Sequence, residues 1–363
     1  MRNSFIKWIC LILSVLLALS AVTAVAEITD QEDGWLDQAL EAYEQGDYET
    51  SFRLFGLAAE QGNREARYAM AVHYFYGKGT EPSEEKAAEY LLLAAGQGHA
   101  GAQFILGWLY ESGRGVEKSD EKAAEYYQLA ADQDDPDALM ALAMLYYSGR
   151  GVEQSDEKTV EYCRRSADLG YVRAQYAMGV YYACGYVVEQ SFGKAAEYYR
   201  LAADQGDPDA QVNLGQLYES GDGVEQSFEK AAECYRLAAD QGNGRAQAFL
   251  GKMYEFGSGV EQDYDRAVAY YRLSVEQGNS MGQWCMGEAY QFGLGVEQDF
   301  EKAAEYYRMS ADQGDPDGLD DLAYLYQEGL GVERSREKAV ELYRRAAELG
   351  SEDARQALAA LGE

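Results

Sequence analysis

A period of 36 residues constrains this chain more than any other feature of its sequence. Paired glycines recur at Gly77/Gly79, Gly113/Gly115, Gly149/Gly151, Gly221/Gly223, Gly257/Gly259, Gly293/Gly295 and Gly329/Gly331, with Gly185 and Val187 in the same phase. Every step is 36 residues and none carries an insertion. Length alone, 363 residues, suggests two or three globular domains. The period replaces that expectation with one solenoid whose units each meet a like neighbour. Eight full units occupy residues 63–350, a half-matching unit occupies 27–62, and a short capping helix is expected at 351–363.

Each unit reads as two helices. In the unit that starts at Asp207, Asp207 is an N-cap and Pro208 suits the first helical turn. Ala210, Leu214, Leu217 and Tyr218 follow helical spacing, and Gly221 stops the helix. Ser227 caps the second helix, Glu229 favours its first turn, and Ala231, Tyr235, Ala238 and Ala239 form its buried stripe. The first-helix cap position reads Asn63, His99, Asp135, Tyr171, Asp207, Asn243, Asn279, Asp315 and Ser351, mostly capping types. The fold class is therefore all-α, built of helix-turn-helix units.

Comparing units within the chain assigns roles to columns. Tyr74, Tyr110, Tyr146, Tyr182, Tyr218, Tyr254, Tyr290 and Tyr326 never change, which suggests rings filling the gap between paired helices. Truncating Tyr218 is then expected to cost about 3–5 kcal/mol, as for a buried ring. Tyr90, Tyr126, Tyr162 and Tyr198 supply matching bulk on the second helix, with Cys234 substituted once. Lysines such as Lys86 and Lys122 precede Glu89 and Glu125 by three residues and suggest weak surface ion pairs.

The residues Ala210, Leu214, Gly215, Tyr218, Gly221, Gly223, Val224, Lys230, Ala231, Tyr235, Ala238, Ala239 and Gly242 resemble the Sel-one-like repeat, a relative of the tetratricopeptide repeat. The resemblance covers residues 63–350. Ala39, Tyr43, Gly46, Asp47, Tyr48, Phe52, Ala58 and Ala59 are more similar to an ordinary tetratricopeptide unit. The resemblance implies a right-handed superhelix of helix pairs, first helices on the concave wall, and an adaptor role. Val187 for Gly, Asp134 for Gly and Thr80 for Val depart from the pattern and bear on local turns.

Arg2 and Lys7 precede an apolar run from Trp8 to Leu19, and Ala24-Val25-Ala26 is a small-x-small cleavage pattern. A secretory signal over residues 1–26 is expected, with an uncleaved anchor as the alternative, and with it a periplasmic or extracellular address. Cleavage takes the net charge from -32 to -34, which favours solubility and repels anionic membranes. The same charge speaks against binding nucleic acid over a large surface. Two histidines leave little room for a histidine-rich metal site, and no cofactor is expected.

Ser-x-x-Lys recurs at Ser83/Lys86, Ser119/Lys122, Ser155/Lys158, Ser191/Lys194, Ser227/Lys230 and Ser335/Lys338, a spacing that in penicillin-binding enzymes sets a nucleophile beside its base. Asp263 and Asp299 replace Ser in two units, which suits a cap and not a nucleophile. Some cysteine-rich relatives are credited with penicillin hydrolysis, but Cys163, Cys184, Cys234 and Cys285 sit at four different phases and no disulfide is expected to be required. The carboxylates of 204–209 and 312–317 read as a capped helix restart rather than a calcium loop.

One stripe of the first helices does vary. It reads Tyr68, Val72, Phe75; Phe104, Trp108, Glu111; Met140, Met144, Tyr147; Tyr176, Val180, Ala183 in the first four units, and turns mixed or polar in the rest. A non-enzymatic scaffold is expected, holding a protein or peptide segment on Tyr68, Val72, Phe104, Trp108, Met140, Met144, Tyr147 and Tyr176. Tight packing between units is the alternative use of that stripe. A cell-wall-directed hydrolase is the alternative function, by family association alone.

Overall fold

The computed structural model describes residues 33–363, so the expected export segment lies outside them. The described residues form helices α1 (Asp33–Glu44), α2 (Tyr48–Glu60), α3 (Arg64–Tyr76), α4 (Glu84–Gly96), α5 (Ala100–Ser112), α6 (Asp120–Ala131), α7 (Pro136–Ser148), α8 (Asp156–Asp168), α9 (Val172–Cys184) and α10 (Phe192–Asp204). They continue with α11 (Pro208–Ser220), α12 (Phe228–Asp240), α13 (Gly244–Phe256), α14 (Tyr264–Glu276), α15 (Ser280–Phe292), α16 (Phe300–Asp312), α17 (Pro316–Glu328), α18 (Arg336–Glu348) and α19 (Glu352–Leu361). Among the described residues there is no strand, and no helix is long and apolar enough to cross a membrane. Packing divides the chain after Tyr171 into two units, each a run of helix pairs in chain order.

The caps explain where helices start. Asn63, Asp135, Asp207, Asn243, Asn279, Asp315 and Ser351 each accept the backbone N–H three residues on. His99 does the same work: its Nδ1 accepts from Ala102 N at 3.1 Å. The serines at second-helix starts accept the backbone N–H of the lysine three residues on, and Asp263 and Asp299 accept those of Arg266 and Lys302 in the same way.

The second glycine of each pair lies against backbone of the preceding helix pair. A Cβ on Gly115 would sit 2.3 Å from Glu84 O, and one on Gly259 2.2 Å from the carbonyl carbon of Phe228. Asp134 and Val187, which stand where other repeats have glycine, keep the left-handed conformation at φ 58°. The turn is thus preserved and the side chain carries the strain, which is largest for a β-branched residue.

The core has a feature that the sequence reading did not isolate. Gly107, Gly179, Gly215, Gly251 and Gly287 each face a ring on the paired helix, Tyr127, Tyr199, Tyr235, Tyr271 and Tyr307, and a Cβ would come within 2.4–2.7 Å of it. These tyrosines are buried. The equivalent pairs Ala71 with Leu91 and Ala143 with Cys163 trade a methyl on the seat for a smaller guest. Ala323 with Tyr343 departs from that trade.

The unchanging tyrosine column is different. Its rings stack on the second-helix tyrosines, Tyr110 on Tyr126 at 5.6 Å and Tyr254 on Tyr270 at 5.7 Å, and several are only half-buried, Tyr218 among them. The lysines once expected to pair with glutamates lie over these rings, Lys122 at 5.0 Å from Tyr110 and Lys230 at 5.2 Å from Tyr218. The ring faces attract the ammonium groups more closely than the solvated carboxylates do.

Candidate functional site

The variable first-helix stripe divides into buried and accessible parts. In the unit of residues 33–171, Tyr68, Val72 and Trp108 are buried within one apolar cluster. Tyr68 stacks on His99 at 4.4 Å, and His99 Nε2 lies 3.0 Å from Glu65 Oε2. Phe75 meets the edge of Trp108 at 6.0 Å, and the Arg114 guanidinium covers both rings while pairing with Glu84. Phe104 is half-buried against Tyr127. These positions are spent on stacking repeats, the alternative use raised above for the stripe.

Further along the same face the packing opens. Met140 is half-buried, while Met144 is 56% and Tyr147 58% exposed. Glu111 lies beside them in the stripe and is held by Tyr127 Oη at 2.9 Å and by Arg150 at 2.6 Å. In the unit of residues 172–363, Tyr176 is half-buried and tilted against Tyr199 at 6.0 Å. Val212 and Ala248 are fully buried. The stripe then becomes polar, with Lys252, Trp284, Glu288 and Asp320 half-buried and Tyr324 exposed.

The polar repeats show how buried phenols are satisfied. Tyr127 donates to Glu111, Tyr235 to Glu219 at 2.7 Å and Tyr271 to Glu255 at 2.5 Å. Burial, with the nearby carboxylates, pushes these phenols well above their ordinary range. A second polar device joins neighbouring repeats: buried Gln211 accepts from Gln241 at 3.0 Å and donates to Ala203 O at 3.2 Å. The recurring Gln of Gln103, Gln175, Gln211, Gln247 and Gln283 was the sequence signal for it.

The geometry of the Ser-x-x-Lys pairs opposes a nucleophilic role. Ser227 Oγ accepts from the backbone of Lys230, while the Lys230 ammonium lies over the Tyr218 ring. Cys163 and Cys234 are free, and burial raises their thiols to about 12 and about 11, so neither is a ready thiolate. His73 is buried; its Nδ1 donates to Lys78 O at 2.6 Å, its Nε2 accepts from Ser51 Oγ at 3.2 Å, and burial lowers its pKa. Among the described residues no three acidic, histidine or cysteine side chains converge as a metal site. Asp207 and Asp315 spend their carboxylates on caps.

Comparison with known proteins agrees with this architecture. The family profile described as Sel1 repeat matches nine times, over residues 39–63, 64–99, 100–135, 136–171, 172–207, 208–243, 244–279, 280–315 and 316–351. The profile thus also takes in part of the first, half-matching unit. The structure of a protective antigen of uropathogenic Escherichia coli strains, displaying an SLR fold, is similar at 35% identity. Its TM-score is 0.74, over 85% of this chain and 67% of that one. A Sel1 repeat protein from Oxalobacter formigenes is similar at 29% identity and TM-score 0.64, over 96% and 99% of the two chains. No curated protein matches the chain.

Proposed function

The chain belongs to the Sel1-repeat family, and from that premise we propose that it is a non-enzymatic adaptor, exported from the cytoplasm, that holds a segment of a protein partner on its first-helix face. Proteins of this family are in general protein-interaction modules. The observation that carries the reading is the pair Met144 and Tyr147. The Met144 column is buried at Val72 and Trp108, yet here a thioether and, one turn on, a phenol stand more than half exposed on α7. Such side chains give up large apolar area on docking, and Met adapts its shape to a guest. Export rests on Arg2, Lys7, the apolar run and Ala24-Val25-Ala26.

A photoreactive residue in place of Met144 should crosslink a protein from the exporting compartment, while the same residue at exposed Leu129 should not. Met144→Ser with Tyr147→Ser should abolish that capture and leave the melting curve unchanged, because neither side chain is core. A double variant that still captures the partner ends the proposal for this face. Intact mass of the secreted protein should start at Glu27; a species that retains residues 1–26 would refute the cleavage.

A further inference from the structure

In the repeat of α15 and α16 the buried phenol is left without the partner that Tyr127, Tyr235 and Tyr271 have, and that points to a ligand. Tyr307 is fully buried, like Tyr235 and Tyr271, but the residue sixteen before it is Gln291 instead of a glutamate. No hydrogen bond forms there: the Tyr307 hydroxyl and the Gln291 Oε1 are both buried without a partner. Gln291 itself is only 8% exposed. A buried polar atom left unpaired costs free energy that the repeats of Tyr127, Tyr235 and Tyr271 avoid through their glutamates.

The surroundings of that hydroxyl are anionic. The charges of Asp321 and Glu288 act directly on Tyr307. Burial raises Glu288 to about 7 and Asp321 to about 6, with neighbouring carboxylates pushing the same way. Asp317, Asp320, Asp353 and Glu255 face these two groups, and Lys252 is the cation that faces Glu288. Lys252 does not pair with them; its ammonium stands 4.2 Å over the Trp284 ring. Trp284 Nε1 donates to Asp321 Oδ2 at 2.7 Å, which fixes that carboxylate and leaves its other oxygen.

We propose that Glu288, Asp321, the Tyr307 hydroxyl and the Gln291 amide oxygen receive the guanidinium of an arginine on a protein partner. A guanidinium carries five donors in a rigid plane and no acceptor, so it can meet several separated acceptors at once. An ammonium offers three donors from a point, and Lys252 shows that one chooses the indole face instead. A metal ion needs ligands closer together than the described residues provide. The inference rests on the reading of the chain as a protein-binding module and gives it a second contact, chemically unlike the apolar one at Met144 and Tyr147.

The test uses the purified chain at pH 8, where both carboxylates ionise, and a labelled, terminally blocked pentapeptide whose one charged residue is a central arginine. Its lysine and citrulline counterparts are the comparison probes. The arginine peptide should bind about tenfold more tightly than the lysine peptide, and the citrulline peptide should not bind measurably. Glu288→Gln with Asp321→Asn should weaken arginine binding about tenfold, while Glu301→Gln with Glu305→Gln, which removes the same charge elsewhere, should leave it within about twofold. Glu288→Gln alone serves if the double variant does not fold. Equal affinity for arginine and lysine peptides, or an unaffected Glu288→Gln variant, overturns the proposal. Peptide binding without any protein crosslinked at position 144 would fail the adaptor reading alone; crosslinking there without peptide binding would fail this inference alone.

Discussion

Two columns of tyrosine run through the repeats, one inside and one at the edge, and they are held by different physics. The inner rings, such as Tyr235 and Tyr271, are buried on glycine seats that admit no Cβ. The outer rings, such as Tyr218 and Tyr254, stack on or lie beside second-helix side chains under a lysine or arginine. The outer column never changes from repeat to repeat, while the inner one admits Leu91 and Cys163. Recurrence is therefore a poor measure of burial. A core position can vary when its neighbour varies with it, as Ala71 does opposite Leu91 and Ala143 opposite Cys163. The edge ring stays even where its second-helix neighbour changes, as at Cys234, since it also carries a cation.

The largest effect should come from the inner column. Tyr235→Ala empties a closed seat and should cost about 3–5 kcal/mol in denaturant unfolding. A loss below 1 kcal/mol would mean that the seat collapses and the contrast is false. Gly215→Ala comes next, at about 1–3 kcal/mol, because its Cβ would stand 2.7 Å from the Tyr235 ring. Adding Tyr235→Leu to it reproduces the Ala71–Leu91 pair, and the double variant should recover part of the loss. Simple addition of the two single costs would break the argument that seat and guest are coupled.

Tyr218→Ala, at the edge, should cost only about 1–2 kcal/mol, for a half-buried ring whose phenol accepts from Arg200 at 3.2 Å. That is less than the buried-ring figure expected from the sequence, and equal losses at Tyr218 and Tyr235 would erase the distinction. Lys230→Met keeps the aliphatic stem and removes the ammonium over the ring, so thermal unfolding should register a loss of about 0.5 kcal/mol. A gain there would show that the stacked rings need no cation.

Glu288 extends the contrast to pH. Its folded pKa is raised above the unfolded value, so its contribution to stability is greatest below about 4.5, its ordinary value, and is lost as pH rises through about 7. Glu288→Gln should therefore flatten the decline in stability between pH 5 and 8 by about 1–2 kcal/mol, allowing for partial exposure. An unchanged slope would place the titration on other groups.

Much of the architecture was legible because it is written in local chemistry. Cap residues, helix-stopping glycines and the 36-residue phase act within a few positions of themselves, and the structure places them as read. The candidate surface was less legible. Trp108 and Met144 occupy the same column, yet one is 8% and the other 56% exposed. Their difference comes from what closes over them: Phe75 of the preceding repeat and Arg114 of the same repeat lie on Trp108. The glycine seats escaped notice for a related reason. Twenty residues separate Gly215 from Tyr235, and a helix-period reading treats each helix by itself. The Gln241–Gln211 bond, thirty residues apart, escaped in the same way.

The glycine that touches backbone has a consequence for how such chains change length. Gly115 and Gly259 meet main-chain atoms, Glu84 O and the Phe228 carbonyl carbon, rather than particular side chains. A junction built on main chain accepts any neighbour of the same phase. Unequal crossing-over between two in-phase copies of the coding segment would remove or add 36 residues and still bring each glycine to a helix start. Within either unit, array length can thus drift by whole copies without a new interface having to be invented, while a slip of even one residue would drive a Cβ into a carbonyl.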